Sequence, residues 1–347
     1  MRYYTKQHKN YCGIDLHTTK MYICILNHAG ETVLHRNMQT RPETFLRAIQ
    51  PFRDDLVVSA ECMFAWYWLA DLCEKENIPF VLGHALYMRA IHGGKSKNDR
   101  IDSLKIAALL KGGLIPMAYV YPEKMRATRD LMRRRNHFMR KRAELFAHIQ
   151  NTASQYNLPD PLGRIANPKN REGVIERFHL PCVQKSIEAN LAMIETYDQV
   201  IAGMERDIVQ SAQHHDPVSY ALLKTIPGVG RIISLNLLYE IEDINHFPRV
   251  QDFVSYCRLV KCAKESNGKR YGSSGKKIGN AHLRWAFSEA AQLFLKGNEP
   301  GKKYLQKKTN KHGKGKALSI LAHKLGRAVY YVLRNREAFD MKKFLAA

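Results

Sequence analysis

The sequence predicts an α/β N-terminal domain, a long basic helical arm and a mostly helical C-terminal part. Three observations carry this. Short apolar runs alternate with helical patterns up to Gly112-Gly113. From residue 123 onward, apolar side chains recur at helical intervals in a strongly basic background. Four acidic residues, Asp15, Glu61, Asp99 and Asp102, stand at or near the ends of the expected elements.

Tyr11–Leu16 and Met21–Leu26 read as apolar strands, and His28-Ala29-Gly30-Glu31 turns the chain into a third, Thr32–Arg36. A helix is expected near Pro42–Ile49. A strand ending at Glu61, a helix over Ala65–Glu76 and a short strand at Pro79–Leu82 follow. The helix beginning near Asp99 runs through Ile101, Leu104, Ile106 and Leu110 until Gly112-Gly113 stops it. Two closely joined strands and a third, with a carboxylate on the first, form the opening of a ribonuclease-H-like sheet. Trp66, Tyr67 and Trp68 read as packing residues rather than a base-stacking platform.

Asp15 lies inside the first strand and Glu61 closes another, while Asp99 and Asp102 share one helix face by their i,i+3 spacing. Any one of them alone is better read as structural; an Asp at a helix start is usually a cap. Together they suit Mg²⁺ (or Mn²⁺), because hard cations take oxygen ligands. In phosphodiester chemistry two such ions about 4 Å apart clamp the attacking and leaving oxygens. His17 faces the same way as Asp15 on a strand, and is read as a supporting group.

Residues 123–150 form a basic amphipathic helix, with Met125, Leu131, Phe138, Leu145 and Ile149 on its apolar side. Arg133, Arg134 and Arg135 repeat one heptad later as Arg140, Lys141 and Arg142, and are read as contacts to a nucleic-acid backbone. A second helix over 184–214 would complete a helical hairpin or coiled-coil arm. In Ile226-Pro227-Gly228-Val229-Gly230 we read a helix-hairpin-helix pattern, whose Gly228 and Gly230 free backbone N–H groups for a phosphate. The Gly-, Ser- and Lys-containing segment 264–280 is expected to be a flexible phosphate-binding loop. An apolar helix is expected near Ala317–Leu333. We place domains at 1–122, 123–215 and 216–347.

Net charge is +23 with 55 Lys and Arg against 32 Asp and Glu, which points to a polyanionic partner, nucleic acid before a membrane surface. Seven scattered cysteines without a C-x-x-C pair argue against a closed disulfide framework or structural zinc and for a reducing cytoplasm. No signal-peptide pattern and no apolar run of about 18–20 residues is found, so no membrane span is expected.

The pieces Gly13-Ile14-Asp15, Ser59-Ala60-Glu61 and Lys97-Asn98-Asp99-Arg100-Ile101-Asp102-Ser103 resemble the Asp-Glu-Asp-Asp tetrad of the insertion-sequence 110 family of transposases. That family is related to Piv-type DNA invertases, and its N-terminal domain resembles the RuvC resolvase. Its C-terminal transposase domain is similar to Ile226-Pro227-Gly228-Val229-Gly230, Phe253–Leu259, Lys264-Glu265-Ser266 and Ser274–Asn280 here. The resemblance implies a site-specific transposase or recombinase acting on donor and target DNA. Ser266 would be the nucleophile, forming a covalent phosphoserine link, with Ser273 and Ser274 as rivals. Arg270, Lys276 and Lys277 are candidate phosphate contacts. It further implies a non-coding guide RNA that pairs with the DNA, and homodimers that pair into tetramers with a composite active site. The setting would be the prokaryotic cytoplasm, at the nucleoid. Two other readings share parts of the pattern: a metal-dependent junction endonuclease that hydrolyses DNA with water, and a non-catalytic nucleic-acid-binding protein. Excision, insertion and inversion are all compatible with these residues.

Overall fold

The computed structural model describes residues 2–91, 98–158, 163–261, 263–273 and 278–346. The chain divides into two compact units, Met1–Glu123 and Lys124–Ala347.

The first unit is built on a five-stranded sheet. Its strands are β1 (Asn10–Leu16), β2 (Lys20–Asn27), β3 (Thr32–Gln39), β4 (Leu56–Glu61) and β5 (Phe80–Gly83), in the order β3-β2-β1-β4-β5. β1, β2 and β3 form an antiparallel meander, and β4 and β5 run parallel to β1. The crossovers between the parallel strands carry helices α1 (Pro42–Ile49) and α2 (Tyr67–Lys75); α3 (Ala85–Ile91) and α4 (Asp99–Lys111) follow β5. The period-2 alternation of the strands sorts the core into two layers. Cys12, Ile14, Val58 and Ala60 pack with Phe45, Ile49 and Leu69 from α1 and α2. Tyr11, Val57 and Val81 pack with Ile106 and Leu110 of α4. Trp66 is buried with Ala70 and Leu82, as its packing role requires.

Small residues let α4 lie directly on the sheet. Gly13 is paired with Cys24 on one side and Ser59 on the other. A Cβ on Gly13 would sit 2.2 Å from the Ala107 backbone nitrogen and 2.4 Å from the Ser103 carbonyl oxygen. Neither backbone atom can move without shifting the whole helix. Gly13→Ala is therefore expected to destabilise the first unit by about 2–3 kcal/mol or more, the upper range for overpacking. Chemical denaturation measures the loss, and a variant as stable as the wild type would contradict the close packing.

The second unit begins with two long helices, α5 (Glu123–Gln155) and α6 (Pro181–His215). Their contacts pair Arg135 with Glu205, Arg142 with Asp198 and His148 with Asn190, so the helices run antiparallel. On α6, Ile187, Ile194, Ile201 and Ile208 are buried at intervals of seven, the spacing of a coiled-coil core. The rest comprises α7 (Pro217–Lys224), α8 (Arg231–Ile241), α9 (Val250–Tyr256), the hairpin strands β6 (Ala263–Ser266) and β7 (Lys269–Ser273), α10 (Ala281–Leu293), α11 (Glu299–His312), α12 (Lys314–Asn335) and α13 (Met341–Ala346). Its core joins Leu235, Phe253, Phe287 and Leu325, and also takes in Met125 and Met132 of α5 and Ile208 and Ala212 of α6. The arm expected as a separate domain over 123–215 is thus rooted in the C-terminal core, and the two form one unit.

Segment 264–280, expected as a flexible loop, instead contains an antiparallel hairpin over its described first part. Asn267 and Gly268 take φ values of 49° and 69°, the two positive angles of the tight turn that Asn-Gly favours. Among the described residues, no helix is long and apolar enough to cross a membrane.

Candidate active site

β1 and β4 are parallel neighbours, paired up to Ile14 and Ala60. Asp15 and Glu61 are each the next residue, so one acid lies a residue before the end of β1 and the other is the last of β4, at the same end of adjacent strands. By alternation both belong to the face covered by α4, since Gly13, two residues before Asp15, touches that helix. Asn98 caps α4, its side-chain oxygen accepting the Ile101 N–H at 2.8 Å. That cap places Asp99 and Asp102 in the first turn, where the helix dipole favours negative charge. The helix start is tied to the sheet from β3, because His35 Nε2 lies 3.0 Å from the Arg100 carbonyl and 3.3 Å from Ser103 Oγ.

These elements bring Asp15 and Asp99 together around His17. His17 Nε2 is 3.4 Å from Asp15 Oδ2 and 3.7 Å from Asp99 Oδ1. One ligand-type atom from each of the three residues lies within 4.8 Å of the other two. Burial raises the Asp15 carboxyl above the usual range. His17 opposes that rise, and the charges of Asp99 and Asp102 add to it. Asp102 faces Lys105, whose Nζ is 3.8 Å from Asp102 Oδ1. Glu61 is half-buried at the end of β4. His17 is thus nearer the centre of the cluster than its sequence position suggested; the two-residue offset from Asp15 was the available signal.

Ser266 is exposed and ends β6 immediately before the Asn267-Gly268 turn, opposite Lys269. The chain before and after this hairpin is joined by hydrogen bonds between residues 256–258 and 278–280. Asn280 N–H donates to the Tyr256 carbonyl at 2.6 Å. Arg258 Nε donates to the carbonyls of Ile278 and Gly279 at 2.9 and 3.0 Å. Asn280 Nδ2 donates in turn to Glu240 Oε2 at 2.7 Å. Arg270 lies on β7 opposite Glu265, and Ser273 ends that strand. Ser274, Lys276 and Lys277 lie outside the described residues.

The six basic residues of α5 expected to contact nucleic acid divide into two sets. Arg133 donates to both carboxylate oxygens of Glu240 at 2.6 and 2.9 Å. Arg135 is 6% exposed and is held by Glu205 at 2.5 Å. Arg142 is paired with Asp198. This narrows the expectation that all six contact a nucleic-acid backbone: these three guanidiniums pair with carboxylates of the second unit. Arg134, Arg140 and Lys141 stay exposed, with Lys141 paired to Glu144 at 2.8 Å. Gly228 has φ +81°, and a Cβ there would meet the Phe294 nitrogen at 2.4 Å and the Ala290 oxygen at 2.7 Å. It serves the packing of the α7–α8 connection against the end of α10. Gly230 caps α8, is exposed, and has open space where its Cβ would be.

Comparison with known proteins finds two family models on this chain. Residues 12–158 match a transposase family model of the DEDD type of IS110, and residues 220–306 match the model described as transposase IS116/IS110/IS902 family. The chain is also similar to the transposase for insertion sequence element IS1111A of Coxiella burnetii (strain RSA 493 / Nine Mile phase I). It is 20% identical to that protein over 334 residues, which cover 94% of this chain and 90% of the relative. The first match spans β1, β4 and the acidic turn of α4; the second begins in α7 and runs through the serine hairpin into α11. With both halves matched to one family in the same chain, the protein belongs to the IS110 family of insertion-sequence transposases.

Proposed function

We propose that this transposase cuts and rejoins DNA through a covalent phosphoserine intermediate, with Asp15, Glu61, Asp99 and Asp102 as a divalent-metal site. The observation that supports it most is the cluster of Asp15, His17 and Asp99, one ligand-type atom of each lying within 4.8 Å of the others, with Asp102 near enough for its charge to act on Asp15. The antiparallel meander followed by two parallel strands, with the first acid on the central strand, supports a ribonuclease-H-like, RuvC-like reading of the first unit. The α7–α8 connection supports a helix-hairpin-helix reading of the second.

The donor set fits a hard cation. Its ligands are carboxylates, and the raised Asp15 carboxyl reflects burial among negative neighbours, a crowding that positive charge relieves. Mg²⁺ or Mn²⁺ bound there would offset charge on the phosphate oxygens during attack. Ser266 Oγ then bonds to phosphorus while one phosphorus–deoxyribose oxygen bond breaks, and the serine proton ends on the departing hydroxyl. Attack by a strand hydroxyl on the phosphoserine reverses the exchange, so rejoining needs no ATP. Gly230 at the start of α8 and the exposed Arg134, Arg140 and Lys141 would hold backbone phosphates. Arg270, Lys276 and Lys277, which follow the serine closely in sequence, would do the same. A non-coding guide RNA bound to the basic surface would select donor and target DNA, and the working form would be a homodimer or tetramer.

The test is to trap the intermediate. The protein with its co-purifying RNA, Mg²⁺ and DNA carrying the element junction should yield a protein–DNA adduct on a denaturing gel. Ser266→Ala should lose that adduct, while Ser273→Ala and Ser274→Ala keep it. Cleavage that survives Ser266→Ala without any adduct would replace this mechanism with hydrolysis by water.

A further inference from the structure

We propose that a cavity between α11, α12 and α13 is a subsite for one unstacked nucleotide of a single-stranded nucleic acid. Its volume is about 550 Å³, within the roughly 300–1,000 Å³ usual for small-ligand sites. The lining combines two chemistries: Tyr304, Tyr331 and Phe339 offer aromatic surface, and Lys324, Arg327 and Lys343 offer positive charge. Tyr331 is 45% exposed, so a ligand can reach its ring.

The cations crowd one another. Lys324 Nζ lies 5.0 Å from the centre of the Tyr304 ring, and Lys308 Nζ lies 5.5 Å from the same centre. Burial lowers the Lys324 ammonium below its usual range, and the like charges of Lys308 and Arg327 lower it further. His323 on the cavity wall is lowered by burial and then by Arg327. An anion would relieve this repulsion. The two acids of the lining already have partners: Glu337 Oε2 is 3.9 Å from Lys343 Nζ. Asp340 Oδ1 accepts the backbone N–H groups of Lys342 and Lys343 at 2.7 and 3.2 Å. The helix that supplies Tyr304 also carries Lys302, Lys303, Lys307, Lys308 and Lys311 against a single acid, Glu299.

Aromatic faces beside crowded cations are the means by which single strands are held: a base stacks while its phosphate is neutralised. A base stacked in a duplex cannot enter such a cavity, which selects an unpaired nucleotide. The choice of nucleic acid over other anions rests on the transposase reading. The test reads binding in EDTA, so a failure of the cleavage mechanism and a failure of the subsite are distinguishable.

The full-length protein would be titrated with labelled oligo-dT, oligo-U and a duplex of equal length at fixed salt, then photocrosslinked to 5-iodouracil versions of the single strands and mapped by mass spectrometry. Crosslinks are expected in the peptides holding Tyr304 or Tyr331. Tyr331→Ala should weaken single-strand binding about fivefold or more, the scale of one lost stacking contact. Tyr331→Phe should retain it, and duplex binding should not change. A preference for oligo-U over oligo-dT would assign the subsite to RNA, and the reverse to DNA; either supports it. Crosslinks absent from both peptides, equal weakening of duplex and single strand, or binding of free dTMP and UMP without any strand crosslink would overturn it.

Discussion

Asp15→Asn is expected to reduce DNA strand cleavage by about a thousandfold or more while leaving DNA binding intact. The carboxylate is worth several kcal/mol if it holds a metal against the phosphate, and each ~1.4 kcal/mol is a factor of ten in rate. The substitution keeps the shape of the side chain and removes only its charge. That charge is poorly placed in the protein without metal, because burial and the nearby Asp99 and Asp102 disfavour it while, among the described residues, His17 opposes them. The variant should therefore fold as well as the wild type or slightly better. Thermal melts supply a readout apart from activity. The wild-type melting temperature should rise with Mn²⁺ or Mg²⁺, since a ligand that binds the folded state stabilises it, and the variant's should rise less. A variant that cleaves at the wild-type rate, or shows an unchanged metal-dependent rise, would remove Asp15 from the site.

The second large effect is expected at Glu240, the electrostatic centre of the second unit. It is 1% exposed. Arg129 Nε donates to it at 3.1 Å, Arg133 donates twice and Asn280 once. Burial alone would raise this carboxyl. The hydrogen bond from Arg133, the charges of Arg129 and Arg133 and the Asn280 amide outweigh it and hold the group at about 2, down from 4.5. Glu240→Ala removes the buried carboxylate that Arg129 and Arg133 share, and the loss should be about 3–5 kcal/mol. For a unit of this size that lowers the melting temperature by roughly 10 °C or more. Because the folded pKa is depressed, the stabilisation is fully present above about pH 4.5 and fades as pH falls through about 2. Urea unfolding of wild type and Glu240→Gln at pH 7, 4 and 3 should therefore show a gap that narrows with acid. A gap that is constant with pH would mean that Glu240 is not held as a carboxylate. Since Asn280 links Glu240 to Tyr256, in the chain that leads into the hairpin carrying Ser266, the serine adduct should also fall in the alanine variant.

Much of the architecture was legible in local pattern. The apolar run ending at Leu16, the turn at His28-Ala29-Gly30-Glu31 and the stop at Gly112-Gly113 each mark an element that forms near its expected bounds. Period and breaker residues act over a few positions, and so can be read from them. The hairpin at Ala263–Ser273 was also signalled, by Asn267-Gly268. Its Gly, Ser and Lys content suggested flexibility, whereas the turn's positive φ values and the strand pairing prevailed.

What depends on distant partners was not legible. The triplets Arg133-Arg134-Arg135 and Arg140-Lys141-Arg142 look alike as sequence. Whether a guanidinium faces water or a carboxylate depends on Glu240, Glu205 and Asp198, which are 56 to 107 positions away along the chain. The rooting of α5 in the C-terminal core has the same origin, because Met125 and Met132 are buried only by helices that follow much later. By itself, then, the sequence determined the strands of the first unit, the long helices, the four acids at or near element ends and the positive charge, since these follow from local spacing and composition. Only the tertiary structure decided that Gly13 lets α4 bring Asp99 to His17 and Asp15, and which arginines are paired inside the protein. Close packing and buried charge pairing are set by residues that meet in space.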